Sequence, residues 1–536
     1  MELKKVFRSK SLEEREIWLS GRFHNMERSN LILFAAIVSY GIFFSVLTIL
    51  RYYSFMTRAW DFGIFTQSLW TTLEANKFLY HTCELIVNPS GCFFGVHFSP
   101  ILFVVLPFYR LVTTPETLLV IQSFVLPLAA VPIYKLAKEY AGGRIVGLLF
   151  AAVYLMYPAI QFINYYDFHV QTFLPLFFGF AMYYVTKENW PKYFIFILLS
   201  LMVEEHAALV VAFIGLYIAW KYKRQIISSM RNKEPAGKKL LGIAIVTFAV
   251  GIIWYWFTLW QRSTFFPTNP TAMGEFLGSP NFGILGATDP LQIPWLVVTR
   301  PLNAIQALAF DGQYKLLYLA LLFGPLAFFS FKSLSALIPT IPWFTWSFFS
   351  QTMAHHSLGN QYQSYLVAFI FVAAIFGLRK NFLKIPSLKS IHGSIKKIVI
   401  FNLLFFFISS PLCPIVNLTF PSYTYINIGQ HEIQLGETIK MIPPSASVLT
   451  QDNLFPQISS RLNAFVIPKW YLMSTIKNLA LSFTNRTMDE VEYVLLDNRT
   501  DPFSTDIALS LLKTKTQFTL IAVRDNGTIF LYHRKP

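Results

Sequence analysis

The chain has 536 residues, of which 54% are hydrophobic and 13% charged, and its mean hydropathy is +0.48. This composition excludes an ordinary soluble globular protein and predicts a protein that crosses the membrane many times. The net charge of +16 would suit a nucleic-acid partner. The basic residues, however, cluster in short segments between apolar runs, where they determine topology, so we do not expect nucleic acid as a partner.

Apolar runs long enough to cross about 30 Å of hydrocarbon follow one another along most of the chain. The sequence predicts about eleven spans, near residues 31–50, 117–136, 144–161, 171–186, 192–204, 207–221, 239–260, 315–332, 334–350, 362–378 and 397–416. The run Phe98–Val112 is short and contains two prolines, which favours an interfacial or re-entrant helix. The first 28 residues are hydrophilic and no cleavage site follows the first run, so we expect that run to remain as an anchor.

The distribution of lysine and arginine predicts the orientation of these spans. The N-terminal tail and alternate loops carry 26 of the 44 basic residues, whereas the other loops carry seven. We therefore expect a multi-pass protein of the cell membrane with a cytoplasmic N-terminus and an extracytoplasmic C-terminal tail. The Asn-x-Ser/Thr sequons without proline at x all fall in that tail, at Asn417, Asn485, Asn498 and Asn526. This placement suits glycan acceptors, although the tail is also the most polar region and the clustering can arise by chance.

The composition becomes that of a soluble domain after residue 416. The segments 447–450, 492–497 and 518–532 are typical of strands, the last with an Asp-Asn-Gly turn at 525–527, and 506–515 is typical of a helix. The sequence thus predicts an α-helical polytopic domain over 1–416 and a small extracytoplasmic α/β domain over 417–536.

Two outer loops carry further features. In the loop 51–116, with its interfacial helices, Cys83 and Cys92 are close enough in sequence to form a small disulfide in an oxidising compartment, which leaves Cys413 as a buried thiol. The loop 261–314 begins with a stretch rich in proline and glycine and almost free of charge. Long loops of this kind are lids or are disordered, and its position favours a lid.

The few polar residues of the apolar region concentrate at the predicted outer ends of the spans. They are Asp61, Gln67, His97, Asp167, His169, Glu204, Glu205, His206, His355, His356, Gln361 and Tyr362. Since unrelated polar residues would occupy both sides of the membrane, this pattern predicts one shared site. Single residues also have structural explanations: His97 or His169 can be a hydrogen-bonded histidine, and Asp61 can cap a helix. Glu204 and Glu205 lie within apolar sequence and need a partner, a proton or a wet cavity.

Ordered motifs connect the chain to a known family. They are Asp-Phe-Gly-Ile-Phe-Thr-Gln-Ser-Leu-Trp (61–70), His-Phe-Ser-Pro-Ile-Leu (97–102), Tyr-Pro-Ala (157–159), Asp-Phe-His (167–169), Glu-Glu-His (204–206), Gln-Tyr-Gln-Ser-Tyr (361–365) and Glu-Tyr-Val-Leu-Leu-Asp (492–497). The chain resembles the predicted membrane proteins of domain-of-unknown-function family 2079. That family resembles in turn the C-type (GT-C) membrane glycosyltransferases, such as the protein O-mannosyltransferases, through its architecture and one carboxylate.

The resemblance implies a GT-C-like bundle that transfers a sugar, with inversion, from a polyprenyl- or dolichyl-phosphate donor to an extracytoplasmic acceptor. Asp61 matches the place of the catalytic base, which takes the proton of the acceptor hydroxyl. The departing phosphate needs cationic donors, for which Arg58, His97, His169 and Arg300 are candidates. The remaining candidates for substrate binding are Gln67, Asp167, Glu204, Glu205, His206, His355, His356 and Tyr362.

Three questions stay open at this point. A divalent metal would find suitable ligands in Asp61, His97, Asp167, His169 and Glu205 if they converge. A lipid or solute transporter or flippase is the competing class, since carboxylates at hydrocarbon depth are typical of transporters. An envelope assembly factor without catalysis, with the tail as its binding module, is the third. No nucleotide-binding Gly-x4-Gly-Lys-Ser/Thr motif is present to drive transport.

Overall fold

The apolar runs form α-helices along most of the chain. The computed structural model describes residues 12–232, 235–277, 279–288, 290–384, 388–413, 415–416 and 425–535. The α-helices of the apolar part are Leu12–Tyr53, Ile64–Glu74, Leu102–Leu111, Pro115–Leu128, Ala130–Ala137, Arg144–Leu155, Pro158–Tyr165, Leu174–Thr186, Trp190–Leu201, Glu205–Lys221, Lys223–Arg231, Pro235–Phe265, Pro270–Leu277, Ser279–Phe282, Ile293–Thr299, Pro301–Ala309, Gly312–Phe323, Ile341–Phe349, Val367–Lys384 and Leu388–Ser409.

Fewer helices than predicted are long enough to cross a membrane. Within the described residues four qualify by length and composition: Arg28–Tyr53, Pro115–Gly142, Pro235–Phe265 and His392–Ser409. Two bent pairs raise the number to six if each pair is one span, with bends of 46° between Arg144–Leu155 and Pro158–Tyr165 and of 113° between Gly312–Leu326 and Phe329–Phe349. All eleven predicted runs fall largely on helical segments, but the number of eleven spans is not confirmed.

The breaks have local causes. Tyr157 is extended and Pro158 is the first residue of the next helix. The backbone nitrogen at that position has no partner inside the helix, so a proline there costs no hydrogen bond. At the sharper bend, Ala327 and Phe328 both adopt left-handed backbone conformations with φ of 49° and 58°, which ends the helical turn. Hydropathy along the sequence records apolar length but not these bends. The sharper one brings the aromatic helix Ile341–Phe349 against the polar residues described below.

The C-terminal part, residues 430–535, contains a five-stranded mixed sheet. The strands β1 (Val448–Thr450), β2 (Ala464–Val466), β3 (Tyr493–Asp497), β4 (Phe518–Arg524) and β5 (Ile529–Arg534) lie in the order β2-β1-β3-β5-β4. β1 is parallel to β2 and β3, whereas β5 is antiparallel to β3 and β4. The helices are Gln430–Lys440, Phe455–Ile458, Lys469–Leu472, Lys477–Glu490 and Pro502–Leu512.

These strands match the predicted ones, apart from β2, which was not predicted. The turn Asp525–Gly527 joins β4 to β5 as expected. The sequon residues Asn485 and Asn526 are exposed and Asn498 is partly buried, while Asn417 lies outside the described residues.

Two predictions about the loops are corrected or refined. Cys83 and Cys92 are buried free thiols, so the disulfide considered above is not formed, and the Cys83 thiol instead lies 3.6 Å from the carbonyl oxygen of Ala59. Cys413 is a buried free thiol, as predicted. The loop 261–314 is built largely of short helices, and Asn281 from it reaches the cavity described next.

Candidate active site

A cavity of about 300 Å³ lies where the polar segments of the apolar region meet. Its lining consists of Trp60, Asp61, Ile64, Phe65, Glu84, Phe93, His97, Ser99, His169, Val170, Gln171, Glu204, His206, Asn281, Trp343, Trp346, His355, Gln361, Tyr362 and Tyr365. Seven of the predicted site residues are therefore brought together from segments more than 300 positions apart. The concentration of rare polar residues in one cavity is what their pattern in the sequence predicts.

Asp61 lies on a single turn of π-helix, Ala59–Gly63, which we call the Asp61 turn. π-helical turns of this kind often occur at functional sites. The hydroxyl group of Tyr166 donates to Oδ2 of Asp61 at 2.7 Å, and Nε2 of His169 lies 3.3 Å from Oδ1. Burial opposes ionisation, but His169, the Tyr166 hydroxyl and the charge of Arg51 lower the pKa of Asp61 below its ordinary value. The cavity thus contains an ionised carboxylate that is not the helix cap considered from the sequence.

His169 is held in one orientation. Its Nδ1 lies 3.0 Å from the backbone carbonyl of Asp167, and because a carbonyl only accepts, Nδ1 carries a hydrogen. Its backbone N–H donates to Oε1 of Gln122 at 3.0 Å, and its ring stacks on Tyr166 with centroids 5.4 Å apart. Nε2 is thereby directed at Oδ1 of Asp61.

Asp167 lies next to the pair of Asp61 and His169 but outside the lining of the cavity. It is fully buried, forms an ion pair with Arg51 at the end of the first long helix, and accepts the backbone N–H of Arg58 at 2.8 Å. The Arg51 guanidinium also donates to the carbonyl of Met56 at 2.8 Å. Asp167 was predicted to bind substrate, but it does not line the cavity. Arg51 is one of the seven basic residues counted in the predicted outer loops, and its burial beside a carboxylate was not visible in the sequence.

Two glutamate–histidine pairs form a second polar group, of which His97, Glu204 and His206 line the cavity. Nδ1 of His97 lies 3.0 Å from Oε1 of Glu205, and Nδ1 of His206 lies 3.4 Å from Oε1 of Glu204. Burial disfavours the imidazolium of His97, but Glu205, Glu204 and Glu84 outweigh that effect and raise the pKa of His97 to about 9. His97 is therefore a cation at neutral pH. Glu205 holds His97 and the backbone N–H of Phe98 without itself lining the cavity.

Glu84 is a functional candidate that the sequence did not reveal. Its side chain is 5% exposed and its Oε2, which makes no hydrogen bond within the described protein, lies 3.4 Å from Nε2 of His81. Burial raises the pKa of Glu84 to about 7, slightly offset by the charge of His97. This carboxyl group can hold or release a proton near neutrality.

An aromatic wall closes another part of the cavity. The ring of Trp343 stacks on Tyr362 and Tyr365 with centroids 4.9 and 5.0 Å apart. Nδ1 of His355 lies 3.2 Å from the indole nitrogen of Trp346, which can only donate, and 2.7 Å from the Ser350 hydroxyl. Burial lowers the pKa of His355 to about 3, so its imidazole is neutral. This wall offers flat apolar faces and one neutral ring.

Several lining atoms have hydrogen-bonding capacity to spare. Five buried polar atoms of the lining residues make no hydrogen bond within the described protein: Glu84 Oε2, Ser99 Oγ, Gln171 Oε1, Trp343 Nε1 and Gln361 Oε1. Leaving such atoms without partners is costly, and clusters of them require an explanation. A ligand with several hydroxyl groups would satisfy them.

Five predicted residues, besides Asp167, lie outside the lining. Gln67 bonds to carbonyls of the C-terminal part, and the half-exposed Arg58 lies 3.6 Å from Asp452. Arg300 donates to the carbonyl of Leu285 at 3.5 Å, and His356 lies 3.4 Å from Asp311. Glu205 acts through His97, as described. Neither arginine therefore reaches the cavity, and its cationic candidates are histidines.

The proposed metal ligands do not assemble. Within the described residues, no group of three or more histidine, cysteine and carboxylate side chains has the arrangement of a metal site. Asp61 and His169 form one pair, His97 and Glu205 form another, and Asp167 is engaged by Arg51.

An apolar groove of about 290 Å³ adjoins the aromatic wall. It is lined by Leu319, Phe323, Phe331, Leu334, Leu337, Ile338, Thr340, Ile341 and Phe344. Trp343 faces the cavity and the next residue, Phe344, faces the groove, so one short helix contributes to both.

Comparisons with known proteins identify the family. Residues 51–529 match the model of a family described as predicted membrane protein (DUF2079), and the chain belongs to that family, as its ordered motifs indicate. No curated protein matches the sequence. Among solved structures, that of ArnT from Cupriavidus metallidurans in the apo state is similar over 93% of this chain and 98% of that chain, with 10% sequence identity and a TM-score of 0.42.

Proposed function

We propose that this DUF2079 membrane protein is a glycosyltransferase that moves a sugar from a polyprenyl-phosphate donor to a hydroxyl acceptor, with Asp61 as the catalytic base. The observation that supports the proposal most strongly is the ionised Asp61 carboxylate, held by Tyr166 and His169 in a cavity of about 300 Å³. Such a volume is at the lower end of the range for small-molecule sites and suits one sugar unit.

The reaction would be a single displacement. The acceptor oxygen attacks the anomeric carbon as its proton passes to Asp61, and the bond from that carbon to the phosphate oxygen breaks with its electron pair leaving on the phosphate. Attack opposite the leaving group inverts the anomeric configuration. Because Oδ1 faces His169 and Oδ2 faces Tyr166, the carboxylate stays oriented while it accepts the proton.

The departing phosphate would be stabilised by His97 and Glu84. His97, a cation at neutral pH, supplies charge to the developing phosphate anion. Glu84, with its pKa near 7, can give its proton to the phosphate oxygen below that pH. His97 was one of the candidates for this role, with Arg58, His169 and Arg300, whereas Glu84 was not.

The lining also suits a sugar. The aromatic wall can pack against the apolar C–H face of a pyranose, while Ser99, Gln171 and Gln361 have free capacity for its hydroxyl groups. The apolar groove beside Phe344 would take the first isoprene units of the donor. The lipid tail and the sugar would then lie on the two faces of one helix.

The proposed orientation follows the basic residues. The N-terminus would be cytoplasmic, with the membrane domain over 1–416, and the cavity and the α/β domain over 417–536 would be extracytoplasmic. The acceptor would reach the cavity from that side.

A transporter or flippase is the second candidate, favoured by the two bent helix pairs, since broken spans line many transport sites. Mass spectrometry of lipids that co-purify with the protein, followed by incubation of vesicles containing the protein with a polyprenyl-phosphate sugar and a hydroxyl acceptor, distinguishes the two. We expect release of polyprenyl phosphate together with glycosylated acceptor. Movement of intact donor lipid across the bilayer without cleavage would overturn the proposal.

A further inference from the structure

The Asp61 turn is joined to the C-terminal part of the chain by a set of buried contacts. The backbone N–H of Ala59 donates to Oδ1 of Asp452 at 2.8 Å and to the backbone oxygen of Asp452 at 2.9 Å. The first N–H groups of a helix have no partner inside it, and Arg58, which precedes the turn, makes no capping bond with its side chain. A residue 393 positions away therefore caps the turn that carries Asp61.

The helix that follows the turn, Ile64–Glu74, is fastened to the same region. Nε2 of Gln67 lies 3.1 to 3.4 Å from the carbonyls of Arg461, Leu462 and Ala464. Its Oε1 accepts the backbone N–H of Thr82 at 2.8 Å, and the side chain is fully buried. The Thr66 and Ser459 hydroxyls lie 2.7 Å apart.

The two surfaces approach too closely for a side chain at Gly63. A Cβ added there would lie 2.5 Å from Cδ1 of Phe455, a contact that side chains essentially never make. Phe455 is fully buried and begins the helix Phe455–Ile458, whose Gln457 donates to the backbone oxygen of Tyr52 at 2.7 Å. Both hydrogen bonds and close packing thus hold the Asp61 turn against the C-terminal part of the chain.

Asp452 is itself held firmly within the C-terminal part. It follows β1, and its neighbour Gln451 donates to Asp501 O and Thr505 Oγ1 at 2.8 and 2.7 Å. Oε1 of Gln451 accepts the backbone N–H of Asp497, at the end of β3, at 2.6 Å. The capping carboxylate is therefore tied to the parallel part of the sheet.

We propose that the sheet-containing C-terminal part is a positioning element of the active site, and that Asp452 caps the Asp61 turn so that the Asp61 carboxylate faces the cavity. Asp452 does not line the cavity, so it is a positioning residue and not a catalytic one. This role deepens the proposed function and rests on it for its catalytic consequence. The structural consequence can be measured separately.

The test compares the full-length protein in detergent with Asp452→Ala, Asp452→Asn and, as a matched control, Asp506→Asn on an exposed helix surface. Hydrogen exchange of peptides covering residues 57–66 reports the turn without any need for activity. We expect amides of the turn to exchange about five- to tenfold faster in Asp452→Ala, as for loss of a helix cap. Asp452→Asn keeps an oxygen acceptor and should stay within about twofold of the wild type.

The transfer assay supplies the second readout. We expect Asp452→Ala to lower kcat with little change in KM, because substrate contacts remain while the base is misdirected, and Asp452→Asn to restore most of the rate. Unchanged exchange at 57–66 in Asp452→Ala would overturn the inference. If no variant and no wild type transfers sugar while exchange changes as expected, the proposed function fails and the positioning role stands.

Ser459→Ala covers the case in which Asp452→Ala does not fold. It removes the hydroxyl partner of Thr66 and should increase exchange only in peptides of the helix Ile64–Glu74. No local increase in that variant would also count against the inference.

Discussion

Asp61 and Glu84 are two carboxyl groups of one cavity that lie in opposite environments. Asp61 receives hydrogen bonds from Tyr166 and His169, which lower its pKa, whereas Oε2 of Glu84 makes no hydrogen bond in the described protein and burial raises the pKa of Glu84 to about 7. Two acids whose environments separate their pKa values are suited to act as base and acid. The difference arises from the surrounding donors and not from the side chains, which are chemically alike.

Removing the support behind Asp61 should have the largest effect on stability. Arg51→Gln leaves the fully buried Asp167 without its cation, which costs about 3 to 5 kcal/mol. Thermal unfolding in detergent, followed by tryptophan fluorescence, measures the loss. Arg58→Gln is the matched control, since its half-exposed pair with Asp452 should contribute at most about 1 kcal/mol.

The double variant Arg51→Gln/Asp167→Asn sharpens the interpretation. It removes the unpaired charge as well, so it should recover part of the lost stability. A double variant as unstable as Arg51→Gln would show that packing around Arg51, and not its charge, supports the Asp61 end of the cavity.

Glu84→Gln should lower the transfer rate and change its dependence on pH. The wild-type rate should fall as pH rises through about 7, because Glu84 loses the proton it gives to the phosphate. Glu84→Gln should be about 10- to 100-fold slower and lack that pH-dependent fall. Rates measured between pH 5 and 9 check this, and a wild-type fall near pH 7 that persists in Glu84→Gln would exclude Glu84 as the acid.

The same variant should be more stable than the wild type in alkaline solution. The folded-state pKa of Glu84 lies above its unfolded value, so its favourable contribution is present at acidic pH and is lost as pH rises through about 7. Above pH 7, Glu84→Gln avoids ionising a buried carboxyl group and should gain about 1 to 3 kcal/mol. Equal unfolding midpoints at pH 8.5 would contradict the buried, unsolvated state of this group.

His97→Gln should lower stability at acidic pH, with a smaller effect than that of Glu84→Gln in alkaline solution. The folded-state pKa of His97 is raised to about 9, so its ion pair with Glu205 contributes stability fully below about pH 6.5 and loses it as pH rises through about 9. Because His97 is about a third exposed, we expect a cost near 1 kcal/mol at pH 6 that disappears at pH 10. Unfolding midpoints of both proteins across that range measure it.

The convergence of distant polar residues was predictable because polar groups in an apolar sequence need one another. His97, His169, Glu204 and His355 come from separate segments, and all of them line the cavity with Asp61. The strands β1, β3, β4 and β5 were likewise visible as β-rich runs with a turn between the last two.

Other features depend on three-dimensional contacts that no local pattern records. Glu84 lies in a loop segment without a recognisable motif, and burial, which the sequence does not show, raises its pKa. Arg51 and Asp167 are 116 positions apart, and Asp452 caps a turn from the other end of the chain. The number of spans is not confirmed, because bends at Pro158 and near Ala327 interrupt apolar helices and hydropathy along the sequence does not record such bends.

The most direct measurement is sugar transfer by the purified protein and by Asp61→Asn, using a polyprenyl-phosphate sugar labelled in the sugar, with Asp506→Asn as the matched control. The account predicts an inverted product from the wild type and the control, and a rate reduced at least about 100-fold in Asp61→Asn, the size expected for loss of a general base. Asp61→Asn should remain folded, since the amide can still accept the Tyr166 hydroxyl. Transfer by Asp61→Asn at the wild-type rate would contradict the account.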